Sequence, residues 1–386
     1  MQRTLSGRWR RSARALVAIG GVVVVAGCMD ETAGPLDPDL HRSGRHDGSN
    51  HGWDLPLMGA GQLARHFPGR PCIAKWSKGH RKRGARQRPS PYRDFDFWVG
   101  EWNVTDVNDT HVGTNIVTSE LDGCLVQEHW TAGNGSRGLS LNSYDRETDQ
   151  WYQTWSSQSP QGVFGRLRTS GNLIDGAMTL TGTRDAAGGF TFQDRWVWSE
   201  NEQGQVIQDA LAEVPDMDFS APFTGVYTRG DDVTPAPPLA TNFCDEGQVG
   251  AAQRGIDFLV GSWKVRAERG PFVGTSEVTS ALSDCLVIER FESRGGLEAI
   301  SYTYVDLWTE RWYRSYVDSE GERMELEGGL EDGALVLRGT EPTRSGSVDV
   351  TIRWQATENG FDQVWEVSRD GGATWRETVT LQYFAK

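Results

Sequence analysis

The chain has few sulfur residues, five cysteines and six methionines in 386 positions. No two cysteines stand in a Cys-x-x-Cys pair, and no His-Glu-x-x-His stretch occurs, so the common zinc and redox motifs are missing. There is no P-loop and no Gly-x-Ser-x-Gly elbow, which removes the best-marked routes to nucleotide binding and acyl transfer. Long helical periods are lacking as well. Apolar residues make up only 37% of the chain, yet there are 16 Trp, 14 Phe and 9 Tyr. Aromatic side chains each bury a large area, so small domains can still build a core from them. The net charge of −14 is unevenly spread: residues 1–93 hold 17 Lys/Arg against 6 Asp/Glu, and residues 94–386 hold 22 against 47. A body this acidic repels phosphate backbones, so no nucleic-acid partner is expected.

The N-terminus reads as an export signal over residues 1–27. Arg3, Arg8, Arg10, Arg11 and Arg14 precede a short apolar run, Leu16 to Val25, too short to span a bilayer as a mature helix. The run ends in Val25-Ala26-Gly27-Cys28, which resembles the lipobox of bacterial lipoproteins. That resemblance implies lipidation of Cys28, a membrane partner through the lipid, and a place in the cell envelope. Met29 after the cysteine leans toward the outer membrane by the enteric sorting rule. Residues 28–93 show no strand or helix period and read as a flexible basic linker.

An internal duplication organises the rest. Asp96-Phe97-Trp98-Val99-Gly100-Glu101-Trp102 returns as Asp257-Phe258-Leu259-Val260-Gly261-Ser262-Trp263. The same offset maps Gly113 to Gly274, Cys124 to Cys285, Glu128 to Glu289 and Trp151-Tyr152 to Trp312-Tyr313. Further on, Arg195-Trp196 is aligned with Arg353-Trp354 after a slip of a few residues. Two domains in tandem are expected: copy one over 94–230, a Pro-rich linker and arm over 231–254, and copy two over 255–386. Each copy consists of short runs of Val, Ile, Thr, Trp and Tyr separated by Gly, Asp and Asn turns, the pattern of an all-β fold. Ser368 to Trp375 reads as a hairpin turned by Asp370-Gly371.

The opening Phe-Asp-Phe-x-Val-Gly-x-Trp, with Gly, Cys and Glu at these spacings, resembles a family of secreted bacterial lipocalin-like domains of unknown function in the calycin superfamily. The resemblance implies an antiparallel β-barrel in each copy, with Trp102 and Trp263 as structural plugs at one end. Arg229 and Lys386 are the candidates for a basic residue crossing such a Trp.

With Cys28 assigned to lipid, four cysteines remain and allow three pairings. Each copy has one upstream of its opening motif and one inside, so the repeat selects Cys72–Cys124 and Cys244–Cys285. Alternation along Cys124 to Trp130 puts Glu128 on the face of Val126 and Trp130, and Glu289 on that of Val287 and Phe291. If that face is internal, a carboxylate enters each barrel, and Arg195 and Arg353 are the proposed partners. Glu128, Trp130, Arg195, Glu289, Phe291 and Arg353 are therefore the candidate ligand contacts. No metal site, cofactor or catalytic set is expected, and haem is disfavoured because Phe272 and Arg290 stand where copy one has His111 and His129. The leading reading is a non-catalytic, envelope-anchored protein that binds a small apolar or amphipathic ligand. The alternatives are an interaction module that meets a glycan or envelope protein through exposed aromatics, and an enzyme using Glu128/Glu289 as acid and base.

Overall fold

A computed structural model describes residues 90–158, 164–186, 190–215, 219–230, 254–268, 270–306, 311–343 and 346–386, with Cys72 and a hairpin of β1 (Val17–Ile19) and β2 (Val22–Val24). Cys28, Cys244 and most of the 28–93 and 231–254 segments lie outside the described residues. The fold is all-β, with two closed antiparallel barrels of ten strands each.

Barrel 1 runs β3 (Gly100–Thr105), β4 (His111–Glu120), β5 (Leu125–Ala132), β6 (Arg137–Asp145), β7 (Gln150–Gln158), β8 (Phe164–Ile174), β9 (Ala177–Ala186), β10 (Phe190–Glu200), β11 (Val206–Val214) and β12 (Phe219–Arg229). Barrel 2 runs β13 (Gly261–Ala267), β14 (Phe272–Ala281), β15 (Leu286–Ser293), β16 (Glu298–Asp306), β17 (Arg311–Asp318), β18 (Arg323–Glu331), β19 (Ala334–Thr343), β20 (Gly346–Thr357), β21 (Gly360–Ser368) and β22 (Arg376–Ala385). Each strand pairs with its neighbours in sequence, and each barrel closes by pairing its last strand to its first. Closure removes the exposed edges that an open sheet would present.

Local chemistry explains the meander. Asp175-Gly176 and Asp332-Gly333 are two-residue turns with positive φ at both positions (49° and 84°, 50° and 78°). That geometry matches the twist of the flanking strands and suits Asp-Gly. The Ser368–Trp375 hairpin joins β21 to β22, and its turn is held by Asp370, which accepts from the Thr374 amide at 2.8 Å and hydroxyl at 2.6 Å.

In each barrel a 3-10 turn precedes the first strand, and the first-strand Trp is buried and hydrogen-bonded to it. Trp102 Nε1 donates to the Trp98 carbonyl at 2.9 Å, and Trp263 Nε1 to that of Leu259 at 2.8 Å. Arg229, paired with Trp102 across the closing strands, lays its guanidinium 4.4 Å over the indole. Lys386 instead pairs with Glu277, so barrel 2 lacks the stacked cation.

The barrels pack through the outer faces of β5–β8 and β15–β18, and the contacts are reciprocal. Thr154 meets its counterpart Ser315 at 2.8 Å. Arg166 donates to Asp306 at 2.7 Å and lies 4.2 Å over Tyr313. In mirror fashion, Arg323 stands 3.9 Å from Asp145 and 3.7 Å over Tyr152. Contacts of residue i with j and of j with i are the mark of an isologous, two-fold interface, here built within one chain. A double-mutant cycle with Arg166→Ala and Asp306→Ala is expected to give a coupling of about 1–3 kcal/mol in urea unfolding. Additive losses would deny the pair its role.

Candidate functional site

The interior of barrel 1 holds a buried carboxyl with no cationic partner among the described residues. Along β5 the side chains of Val126, Glu128 and Trp130 point inward and are buried. Glu128 is 4% exposed. Asn115 Nδ2, from β4, donates to its Oε1 at 2.8 Å, and Ser140 Oγ, from β6, to its Oε2 at 2.9 Å. Asn142 Nδ2 extends the chain to Ser140 at 2.9 Å. Burial pushes the Glu128 carboxyl up to about 7, against the opposing pull of the Ser140 and Asn115 hydrogen bonds. Around it, Asn115 Oδ1, Asn142 Oδ1, Gln153 Nε2 and Trp130 Nε1 are buried without a hydrogen-bond partner among the described residues. Buried polar atoms are normally paired, and each exception calls for a bound group or water. Indoles form the neighbouring wall. Trp155 and Trp196 have centroids 6.3 Å apart, and Trp196 and Trp198 5.8 Å. Gly138 on β6 lets Trp155 lie down on the strand, since a Cβ there would come within 2.0 Å of the ring.

The matching place in barrel 2 is closed on itself. Glu289 is ion-paired with Arg314, which also donates to Thr303 Oγ1 at 2.8 Å and lies 5.1 Å over Trp354. Ser276 Oγ donates to Glu289 at 2.7 Å, and the one Tyr383 hydroxyl proton is shared between Glu289 at 3.4 Å and Gln363 Oε1 at 3.2 Å. The position of Arg314 is Gln153 in barrel 1. The twin carboxyls therefore differ in charge environment: Glu289 has an internal cation and Glu128 has only neutral donors.

The cation beside Glu289 corrects the expected partners. Arg195 is exposed, because Asp194 and Trp196 take the inner face of β10, and Arg353 is half-buried on the outer face of β20 between inward Ile352 and Trp354. The pairing register also corrects the alignment of the two copies. Trp198 pairs with Gln208 and Trp354 with Gln363, and these glutamines accept from Tyr227 and Tyr383 respectively. Trp198, not Trp196, is thus the counterpart of Trp354. The Arg-Trp dipeptide misled because a two-residue slip keeps the same face.

Trp98, Trp130, Trp151, Trp155, Trp196 and Trp198 are all buried, which takes them out of a sugar-stacking surface. Phe291 is half-buried, and His111 and His129 point outward. Cys72 and Cys124 form a disulfide. Cys285 is disulfide-bonded too, while Cys244 falls outside the described residues. Among the described residues no cluster of His, Cys, Asp or Glu could hold a metal, and no helix is long and apolar enough to cross a membrane.

Three carboxyls, those of Glu128, Asp318 and Glu341, are pushed up to about 7 by burial. Unfolded, they return to the ordinary range near 4. Between those values the folded chain keeps protons that the unfolded chain releases, so this contribution to stability is present at low pH and is lost as pH rises toward 7. For Glu128 the loss is about 3 kcal/mol. Glu128→Gln is therefore expected to gain on the wild type at pH 8 and to show little gain at pH 4.5, read from urea midpoints. A constant difference would contradict this.

No protein-family model matches the chain, and no curated protein matches it. Among solved structures, the chain is similar to a Bacteroides fragilis NCTC 9343 protein provisionally described as an outer membrane protein. The identity is 10% and the TM-score 0.17, covering 74% of this chain and 95% of that one. It is also similar to a protein of unknown function from the DUF3598 family of Nostoc punctiforme PCC 73102, with 9% identity and a TM-score of 0.17, covering 77% and 98%. Likeness this slight carries no functional information.

Proposed function

We propose that the chain is a non-catalytic protein anchored in the cell envelope, with barrel 1 as a compartment for one small amphipathic molecule. One observation carries the reading: among the described residues the buried carboxyl of barrel 1 lacks the cation that Arg314 supplies in barrel 2, and four polar atoms around it have no hydrogen-bond partner. A ten-stranded barrel encloses more room than the eight-stranded kind that already holds a small ligand. The indole wall offers apolar contact beside the polar group, as ligand sites commonly do. The acid–base alternative is weakened because Glu289 is held by Arg314 and three further hydrogen bonds join that pair to Ser276, Thr303 and Tyr383.

The anchor rests on the lipobox-like Val25 to Cys28 and the basic and apolar stretches before it. Cys28→Ala is expected to abolish incorporation of labelled palmitate and release the protein from the membrane fraction. Retention of label would remove the anchor from the account.

The compartment is tested by denaturing extraction of the purified protein followed by mass spectrometry. About one small molecule per chain is expected. Finding none, with native mass equal to that of the polypeptide alone, would count against the compartment.

A further inference from the structure

We propose that barrel 1 binds an organic cation, an alkylammonium or guanidinium head group, in the place that the Arg314 guanidinium fills in barrel 2. The inference rests on barrel 1 being a ligand compartment and adds the charge of what it takes.

Barrel 2 contains its own example of the occupied state. There a guanidinium joins Glu289 to Thr303 and lies over Trp354. Barrel 1 repeats the receiving groups. Glu128 stands for Glu289, Asn142 for Thr303, Trp198 for Trp354 and Tyr227 for Tyr383. The donor has changed to the shorter and uncharged Gln153, and Asn142 and Asn115 replace Thr303 and Ser276 as polar neighbours. Asn142 Oδ1, at the position whose counterpart accepts from Arg314, is buried without a partner, as is Asn115 Oδ1 next to the carboxyl. Two asparagine oxygens thus lack a donor, and the carboxyl on the strand between them lacks a cation, among the described residues.

Other head groups fit poorly. An anion would set a second negative charge beside Glu128. Arg184, the inward cation of β9, is already committed to Asp194 at 2.8 Å. An apolar group would leave the two asparagine oxygens buried and unsatisfied. A cation meets all three acceptors, and the faces of Trp155, Trp196 and Trp198 attract it through their negative ring quadrupoles. Of the orphan donors, Gln153 Nε2 is relieved by turning the amide, since its present acceptor contact is to a Thr169 hydroxyl that can equally donate or accept, while Trp130 Nε1 and Trp198 Nε1 are not met by the cation.

The test uses the full chain and four probes with a four-carbon chain, n-butylammonium, n-butylguanidinium, 1-butanol and butyrate, by calorimetry at pH 8. Saturable binding of the two cations at one site per chain is expected, with none for butanol or butyrate. Glu128→Gln should weaken cation binding by roughly tenfold or more, the loss of a charged hydrogen bond. Gln153→Arg, which places the chain's own guanidinium in the slot, should abolish it, while Gln153→Leu should weaken it less than Gln153→Arg. Circular dichroism melts identify any variant that has failed to fold, and the probe selectivity of the wild type stands regardless of them. Equal binding of butanol or butyrate, or cation binding untouched by both Glu128→Gln and Gln153→Arg, would overturn the proposal. If extraction yields a neutral or anionic molecule that protects barrel 1, the compartment survives and the charge assignment falls. If nothing is extracted and no probe binds, both fall.

Discussion

Arg314→Leu is expected to cost about 3–5 kcal/mol of stability at pH 8, the largest effect of any single change at the twin sites. Arg314 and Glu289 are both buried, at 6% and 8% exposure. Removing the guanidinium leaves a carboxylate in an apolar interior with only Ser276 and Tyr383 as donors. A lone buried charge is far more costly than a buried pair, because the desolvation remains and the attraction is gone. Barrel 1 shows the direction of relief for such a group: burial raises the Glu128 carboxyl to about 7, which favours holding a proton as pH falls. The double variant Arg314→Leu with Glu289→Gln should recover most of the loss, since deleting both charges can be close to neutral. Equilibrium urea unfolding checks both. A single variant within 1 kcal/mol of wild type would show that the pair is not the unit described here.

Removing the Cys72–Cys124 bridge is expected to cost about 4 kcal/mol, from the loop of 52 residues that it closes in the unfolded chain. The bridge also touches the neighbouring barrel. At Gly321, in the β17–β18 turn, a Cβ would come within 3.2 Å of Cys72 Sγ and 2.7 Å of the Tyr92 hydroxyl. That turn also sends Glu322 to Arg146 of barrel 1. Loss of the bridge should therefore loosen the packing of barrel 2 on barrel 1 as well as barrel 1 itself. Cys72→Ala with Cys124→Ala, followed by thermal and urea unfolding with and without reductant, measures this. The wild type should respond to reductant and the variant should respond less. Equal responses would place the reducible stability elsewhere.

The sequence made the duplication, the all-β class and the inward face of Glu128 legible, because each depends on local spacing. Gly-x-Trp, Asp-Gly turns and period-two alternation are short-range signals that survive without knowledge of the fold. The partner of Glu289 was not legible in the same way. Arg314 sits two residues from Trp312, one of the aligned markers, so alternation alone puts it inside. That signal was available. It competes with Arg353, because Arg353-Trp354 looks like a repeat of Arg195-Trp196. The last strands of the copies differ in hairpin length, and only the pairing register reveals which Trp matches which. The interface between barrels was hidden for another reason. Its residues, among them Tyr152, Thr154, Arg166 and their counterparts, are polar or amphipathic and occupy the face that alternation assigns to solvent. The hint lies in β16, where Ala299–Asp306 is buried on both faces, as in a strand covered on two sides.

The contrast between twin carboxyls, one with an internal cation and one without, is best tested by infrared difference spectroscopy of the carboxyl stretch during a pH titration of wild type and Glu128→Gln. The account predicts a protonated carboxyl absorption that persists above pH 6 in the wild type and loses the Glu128 component in the variant, those of Asp318 and Glu341 remaining. An unchanged spectrum, with Glu128 already ionised at pH 5, would contradict it.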